Sequence, residues 1–207
     1  MRWARQVLPL GEEQTVAIET RTRISNEAYE RLALSQPERK WELWDGHLRE
    51  KPGMTYAHNS LAARLSQILG AQLDWSEFEV RTDAGHVHRP NSTYVVPDLF
   101  VLPIAHVTPH LRQPDVLEVY DQPLPLVVEV WSRSTGDYDV AEKLGVYQRR
   151  GDREIWYFHP YEHTLTAWRR QPDGNYEKSI FTSGIVRPVA LPGVEIDLEA
   201  LFSGIAP

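Results

Sequence analysis

The chain has 207 residues, 42% hydrophobic and 25% charged, with no cysteine and a formal charge of -7. That length suits one domain with a single substantial core, and no apolar run reaches the 18 residues at which a membrane span is considered. Lack of cysteine removes disulfides, thiolate nucleophiles and cysteine-built zinc sites, and the acidic balance argues against indiscriminate binding to polyanions, which depends on Lys and Arg.

Residues 1–23 show no clear periodicity and are expected to form an arm or a loose first strand, leaving 24–207 as one domain. The apolar patch in MRWARQVLPLGEEQ is too short for a signal-peptide core, so a cytoplasmic location is expected. Ser25 can cap a short helix over 26–34, and WELWDGHLR at 41–49 reads as a hairpin turning on Asp45-Gly46, with Glu42 on its first arm. Leu61, Leu65, Ile68 and Leu69 recur at helical spacing in 57–73, placing His58 in the first turn on or beside the buried face. A strand at 78–82 is followed by an expected loop over 83–93, because Gly85, two histidines and Pro90 interrupt any pattern.

In YVVPDLFVLP at 94–103, Pro97 removes a ladder donor and so marks a strand start, an edge or a bulge, and Asp98 stands at the mouth of the buried strand LFVL. Residues 104–122 form a long connection, with a short helical turn expected at 115–120. LPLVVEVWSRST at 124–135 is the most apolar run, and its β-branched residues mark a strand covered on both faces. Glu129 stands in its centre. A carboxylate there loses several kcal/mol of solvation unless a cation, a metal or a proton answers its charge.

A helix over 138–150, closed by Gly151, carries Val140, Leu144 and Tyr147 on one stripe, and its spacing puts Lys143 on the sheet-facing side. EIWYFH at 154–159 is a further buried strand, so strand, helix and strand make a βαβ unit with a parallel pair. Strands at 164–170 and 175–181 flank a Pro-Asp-Gly turn, one more short strand or loop falls in 188–197, and 198–202 make a last helical turn. The expected fold is α/β: a mixed sheet flanked by helices.

Asp98 and Glu129 on neighbouring strands, about 5 Å apart, can share a hard cation through oxygen ligands, and a lysine from the crossover helix completes the set. An acidic chain is no obstacle, because a site for divalent cations must concentrate carboxylates. Such a site can activate water for attack on a phosphodiester.

The order Pro97-Asp98, Val127-Val128-Glu129-Val130, Ser132, Ser134 and Thr135, Lys143, Tyr147 and Gly151, then Glu154-Ile155-Trp156, resembles the Uma family of restriction endonucleases, a former domain of unknown function in the PD-(D/E)xK nuclease superfamily. WELWDGHL and the helix-borne His58 resemble that family's early motifs, so the likeness spans roughly Ser25 to Leu201. It implies a restriction-endonuclease-like core with additional antiparallel strands, and an endonuclease that uses Mg²⁺ or Mn²⁺ to cut DNA. Asp98, Glu129, Lys143, His58 and Glu42 would be its catalytic residues, with Asp98, Glu129 and His58 as metal ligands. A homodimer is implied as well. In the wider superfamily the lysine stands two residues after the acid; here that position is Trp131, and Lys143 on the next helix takes the role. Arg133 stands where family members often have proline and His47 where they commonly have an acid. The alternative is a non-catalytic nucleic-acid-binding or assembly module that keeps the nuclease fold.

Overall fold

Caps and turn residues set the first elements. The structure is a computed structural model that describes residues 19–133 and 136–205. Strand β1 (Glu19–Arg23) leads into helix α1 (Asn26–Ser35), capped by Ser25, whose hydroxyl accepts from the Ala28 amide at 3.2 Å. Strands β2 (Trp41–Trp44) and β3 (His47–Glu50) form the expected hairpin. Asp45 and Gly46 have φ of 47° and 86°, the left-handed values that let a two-residue turn follow the twist of its strands. Helix α2 (Tyr56–Gln72) is capped by Thr55 and buries Leu61, Leu65 and Leu69, each side chain worth about 1.5–3 kcal/mol on leaving water.

The remaining elements in chain order are β4 (Phe78–Thr82), β5 (His86–Arg89), β6 (Thr93–Val95), β7 (Leu99–Pro103), α3 (Ile104–Val107), β8 (Val119–Tyr120), β9 (Leu126–Val130), α4 (Gly136–Arg150), β10 (Glu154–His159), β11 (Thr164–Arg170), β12 (Tyr176–Phe181), β13 (Ile185–Val186), β14 (Ile196–Asp197) and α5 (Leu198–Phe202). One sheet runs β1-β3-β2-β6-β5-β8 and the other β12-β11-β10-β9-β7-β4, with β13 and β14 as a separate pair. β9 and β10 are parallel through the α4 crossover, and β9 pairs antiparallel with β7, so the second sheet is mixed as expected. One of its faces packs on α2, α5 and the chain's last turns; the other packs on α4 and the first sheet.

Two expectations are corrected. The segment 83–93 is not a loop throughout: β5 and β6 pair across a turn in which Asn91 and Ser92 take φ of 81° and 59°. Only Val87 of β5 is fully buried, so this four-residue strand between β6 and β8, otherwise two histidines and an arginine, carries no period-2 signal. Nor does 115–120 form a helical turn; Val119 and Tyr120 pair in parallel with His86 and Val87 as β8. Of the readings open at Pro97 a strand start is the one observed: β6 ends at Val95 in the first sheet and β7 begins at Leu99 in the second. Pro97 offers no amide to either ladder, and the chain crosses from one sheet to the other over Val96-Pro97-Asp98. Residues 1–18 of the expected arm, together with Ser134 and Thr135, lie outside the described residues, and the part of the arm that is described, β1, pairs with β3.

Candidate active site

The crossing between the sheets determines where the charged side chains meet. Leu99 of β7 pairs with Val128 of β9, and continuing that register by one residue sets Asp98 beside Glu129. Both are buried, at 3% and 8% exposure. Asp98 Oδ2 accepts from the Val130 amide at 2.7 Å and faces His58 Nε2 at 2.9 Å. The other ring nitrogen of His58 lies 3.1 Å from Asn59 Oδ1. With both nitrogens engaged, His58 as placed orients Asp98 rather than offering a lone pair to a third partner.

Lys143 projects from α4 into the same region. Its Nζ lies 3.0 Å from Glu42 Oε1, 3.3 Å from Glu129 Oε1 and 3.3 Å from the Val96 carbonyl oxygen. Glu42 is held in turn by the Val96 amide at 2.9 Å and the Trp44 indole N–H at 3.0 Å. Arg49 on β3 reaches Glu142 at 2.6 Å and ties the hairpin to the helix one residue before Lys143. Asp98, Glu129, Lys143, Glu42 and His58 are therefore brought to one place by five separate elements or connections.

Two members of the cluster were not read from the sequence. Lys51, just past β3, lies 2.8 Å from Asp98 Oδ1, 2.9 Å from Asp83 Oδ1 and 3.2 Å from the Val96 oxygen, so the two ammonium groups lean on one carbonyl. A signal existed: Glu42 pairs with Arg49 and the Lys51 amide bonds the Lys40 oxygen, so hairpin alternation puts Lys51 on the same face as Glu42. Tyr147, read as an apolar stripe residue and as part of the family pattern but given no role in the site, donates its hydroxyl to Glu129 Oε1.

These contacts push the carboxyls apart in acidity. Burial raises Glu129 to about 8 in spite of Lys143, with the neighbouring Asp98 charge adding to the rise and the Tyr147 hydroxyl opposing it. Burial would raise Asp98 too, but Lys51 and the His58 hydrogen bond outweigh it and hold that group well below the ordinary carboxyl value. Glu42 is likewise held below its usual value, its burial outweighed by Lys143, Lys51 and the Val96 amide. One proton-holding and two ionised carboxyls around two lysines is an arrangement suited to acid–base and phosphate chemistry.

The donors fit a hard divalent cation. Glu129 takes up a proton because its burial is under-compensated by positive charge, and Asp98 Oδ1 has only the ion contact with Lys51, with no aligned hydrogen bond. No three His, Asp or Glu side chains are gathered into a ligand group among the described residues. Two carboxylates suffice for Mg²⁺, which keeps several waters and completes its shell with substrate phosphate.

A family model described as Uma2, "Putative restriction endonuclease", matches residues 26–199. The fold is similar to the crystal structure of "a putative nuclease belonging to DUF820" from Anabaena variabilis, with a TM-score of 0.67 and 16% identity over 80% of this chain and 90% of that one. No curated protein matches the sequence. Among the described residues no helix is long and apolar enough to cross a membrane.

Proposed function

From a chain that belongs to the Uma2 family of restriction-endonuclease-like proteins, we propose a metal-dependent endonuclease that hydrolyses DNA phosphodiester bonds at the Asp98–Glu129–Lys143 cluster. The observation that carries this reading is the Lys143 ammonium 3.3 Å from Glu129, beside an Asp98 held on the neighbouring strand. Held by Asp98 and Glu129, Mg²⁺ or Mn²⁺ would supply Lewis-acid polarisation of the phosphoryl group and a more acidic bound water.

The chain's own groups do the rest. The Val130 amide and His58 fix the rotamer of Asp98, and Tyr147 fixes Glu129. Lys143 places a positive charge where the phosphorane develops negative charge, and Glu42 keeps its ammonium aimed there. Because Glu129 holds its proton up to about pH 8 without a cation, cation loading at neutral pH requires that proton to leave, and activity rises with pH across the neutral range. Two copies cutting opposite strands would act as a homodimer.

Incubation of supercoiled plasmid with millimolar Mg²⁺ or Mn²⁺ tests this directly. Nicking and linearisation that stop with a chelator, and in Glu129→Ala and Lys143→Ala, are expected. Cleavage unchanged in both variants would reject the site. A protein that cuts neither DNA nor RNA with any divalent cation, and whose melting temperature Mn²⁺ leaves unmoved, would favour a non-catalytic module of the same fold.

A further inference from the structure

Asp98 already has a cation of its own. We propose that Lys51 is a resident counter-cation that holds Asp98 in the cation-free site and competes with the divalent ion for it. The inference rests on the reading of Asp98 as a cation ligand and adds a residue that tunes the affinity of that site.

The geometry favours exchange over permanent pairing. The Lys51 side chain is 4% exposed and spans two carboxylates, Asp98 Oδ1 at 2.8 Å on its inner side and Asp83 Oδ1 at 2.9 Å on its outer side. Asp83 is 36% exposed and also binds Lys40, so it belongs to the surface. Release of Asp98 therefore leaves the ammonium with one carboxylate partner and the Val96 carbonyl, avoiding the cost of a lysine stripped of all charge compensation. The inner contact also lacks hydrogen-bond alignment at Asp98 Oδ1, whereas Oδ2 is fixed by both the Val130 amide and His58. Oδ1 is thus the oxygen free to change partner.

A route exists for the exchange. A groove of about 340 Å³ is lined by Lys40, Glu50, Lys51, Asn59 and Asp83 and opens to solvent. Lys51 and the Asn59 that contacts His58 both border it, so the groove reaches Asp98 through Lys51 itself. An ion entering there meets Asp83 first and Asp98 second. Two cations cannot occupy the inner carboxylate oxygen together, because like charges at that distance repel strongly in a buried setting.

Titration calorimetry with Mn²⁺ on the full chain tests the competition. Lys51→Met is expected to bind Mn²⁺ roughly tenfold more tightly than the unsubstituted protein, as removal of a direct competitor would give. Equal or weaker binding by that variant would overturn the proposal while leaving the cation site itself standing. A parallel measurement needs no variant: Lys51, followed by mass spectrometry of amine acylation, is expected to react slowly in chelator and several-fold faster in Mn²⁺. Unchanged reactivity at saturating Mn²⁺ would likewise overturn it. Binding that survives undiminished in Asp98→Asn would instead remove the functional reading on which the proposal stands.

Discussion

Replacing Glu129 by Gln should stabilise the protein, and more so as the pH rises. Glutamine mimics the protonated carboxyl that the fold keeps, with Tyr147 and Lys143 still able to donate to its oxygen. The wild-type group has a folded value of about 8 against an ordinary 4.5, so the unfolded chain releases its proton first. Stability tied to this group is fully present below pH 4.5 and is lost as pH climbs toward 8. By linkage the loss relative to Gln is about 1 kcal/mol at pH 5 and about 4 kcal/mol at pH 8. The side chain is 8% exposed, so solvent screening discounts little of this. In a chelating buffer, the melting temperature of Glu129→Gln should exceed that of the unsubstituted protein by roughly 10 °C more at pH 8 than at pH 5. A difference that stays constant between those pH values would refute the reasoning, because it would mean the buried carboxyl ionises as it does in water. Loss of nuclease activity in the same variant would make Glu129 a group retained against stability.

Lys143→Met leaves the buried, ionised Glu42 without its ammonium and removes a donor to Glu129, and should cost on the order of 3–5 kcal/mol in urea unfolding; a loss under about 1 kcal/mol would contradict the Lys143–Glu42 ion pair. Tyr147→Phe removes a donor to Glu129 and should cost about 1 kcal/mol while moving that carboxyl's titration to still higher pH. A carboxyl-carbon NMR titration of labelled glutamate checks the direction, and a downward move would contradict it. His58→Ala frees one side of Asp98 and should reduce the cleavage rate more than it reduces stability, as plasmid nicking and thermal unfolding measured together would show.

The central strand, the helix after it and the parallel partner were legible because hydrophobic burial on both faces of β9 leaves a run with one charge in it, and α4, among its described residues, buries Val146 and Tyr147 with Lys143 beside them. Those two anomalies meet in the candidate site, 3.3 Å apart. The sequence pattern could not show that β6 and β7 belong to different sheets, because Tyr94 to Leu102 is apolar on either side of Pro97 and the pairing partners are distant in the chain. Lys51 was missed for a related reason: as a lone lysine before Pro52-Gly53 it has the composition of a surface turn, and only the register of β2 against β3 turns it inward. His58 was visible as a histidine on a buried helix face, but its engagement with Asp98 depends on how α2 packs over the crossing.

The most direct test is an anomalous-scattering map from crystals soaked in Mn²⁺. A peak bridging the carboxylates of Asp98 and Glu129, with Lys51 withdrawn toward Asp83 and Lys143 still against Glu42, is expected. Fully ordered crystals with no manganese at that position, and both lysines unmoved at saturating metal, would contradict the assignment of a hydrolytic cation site to this fold.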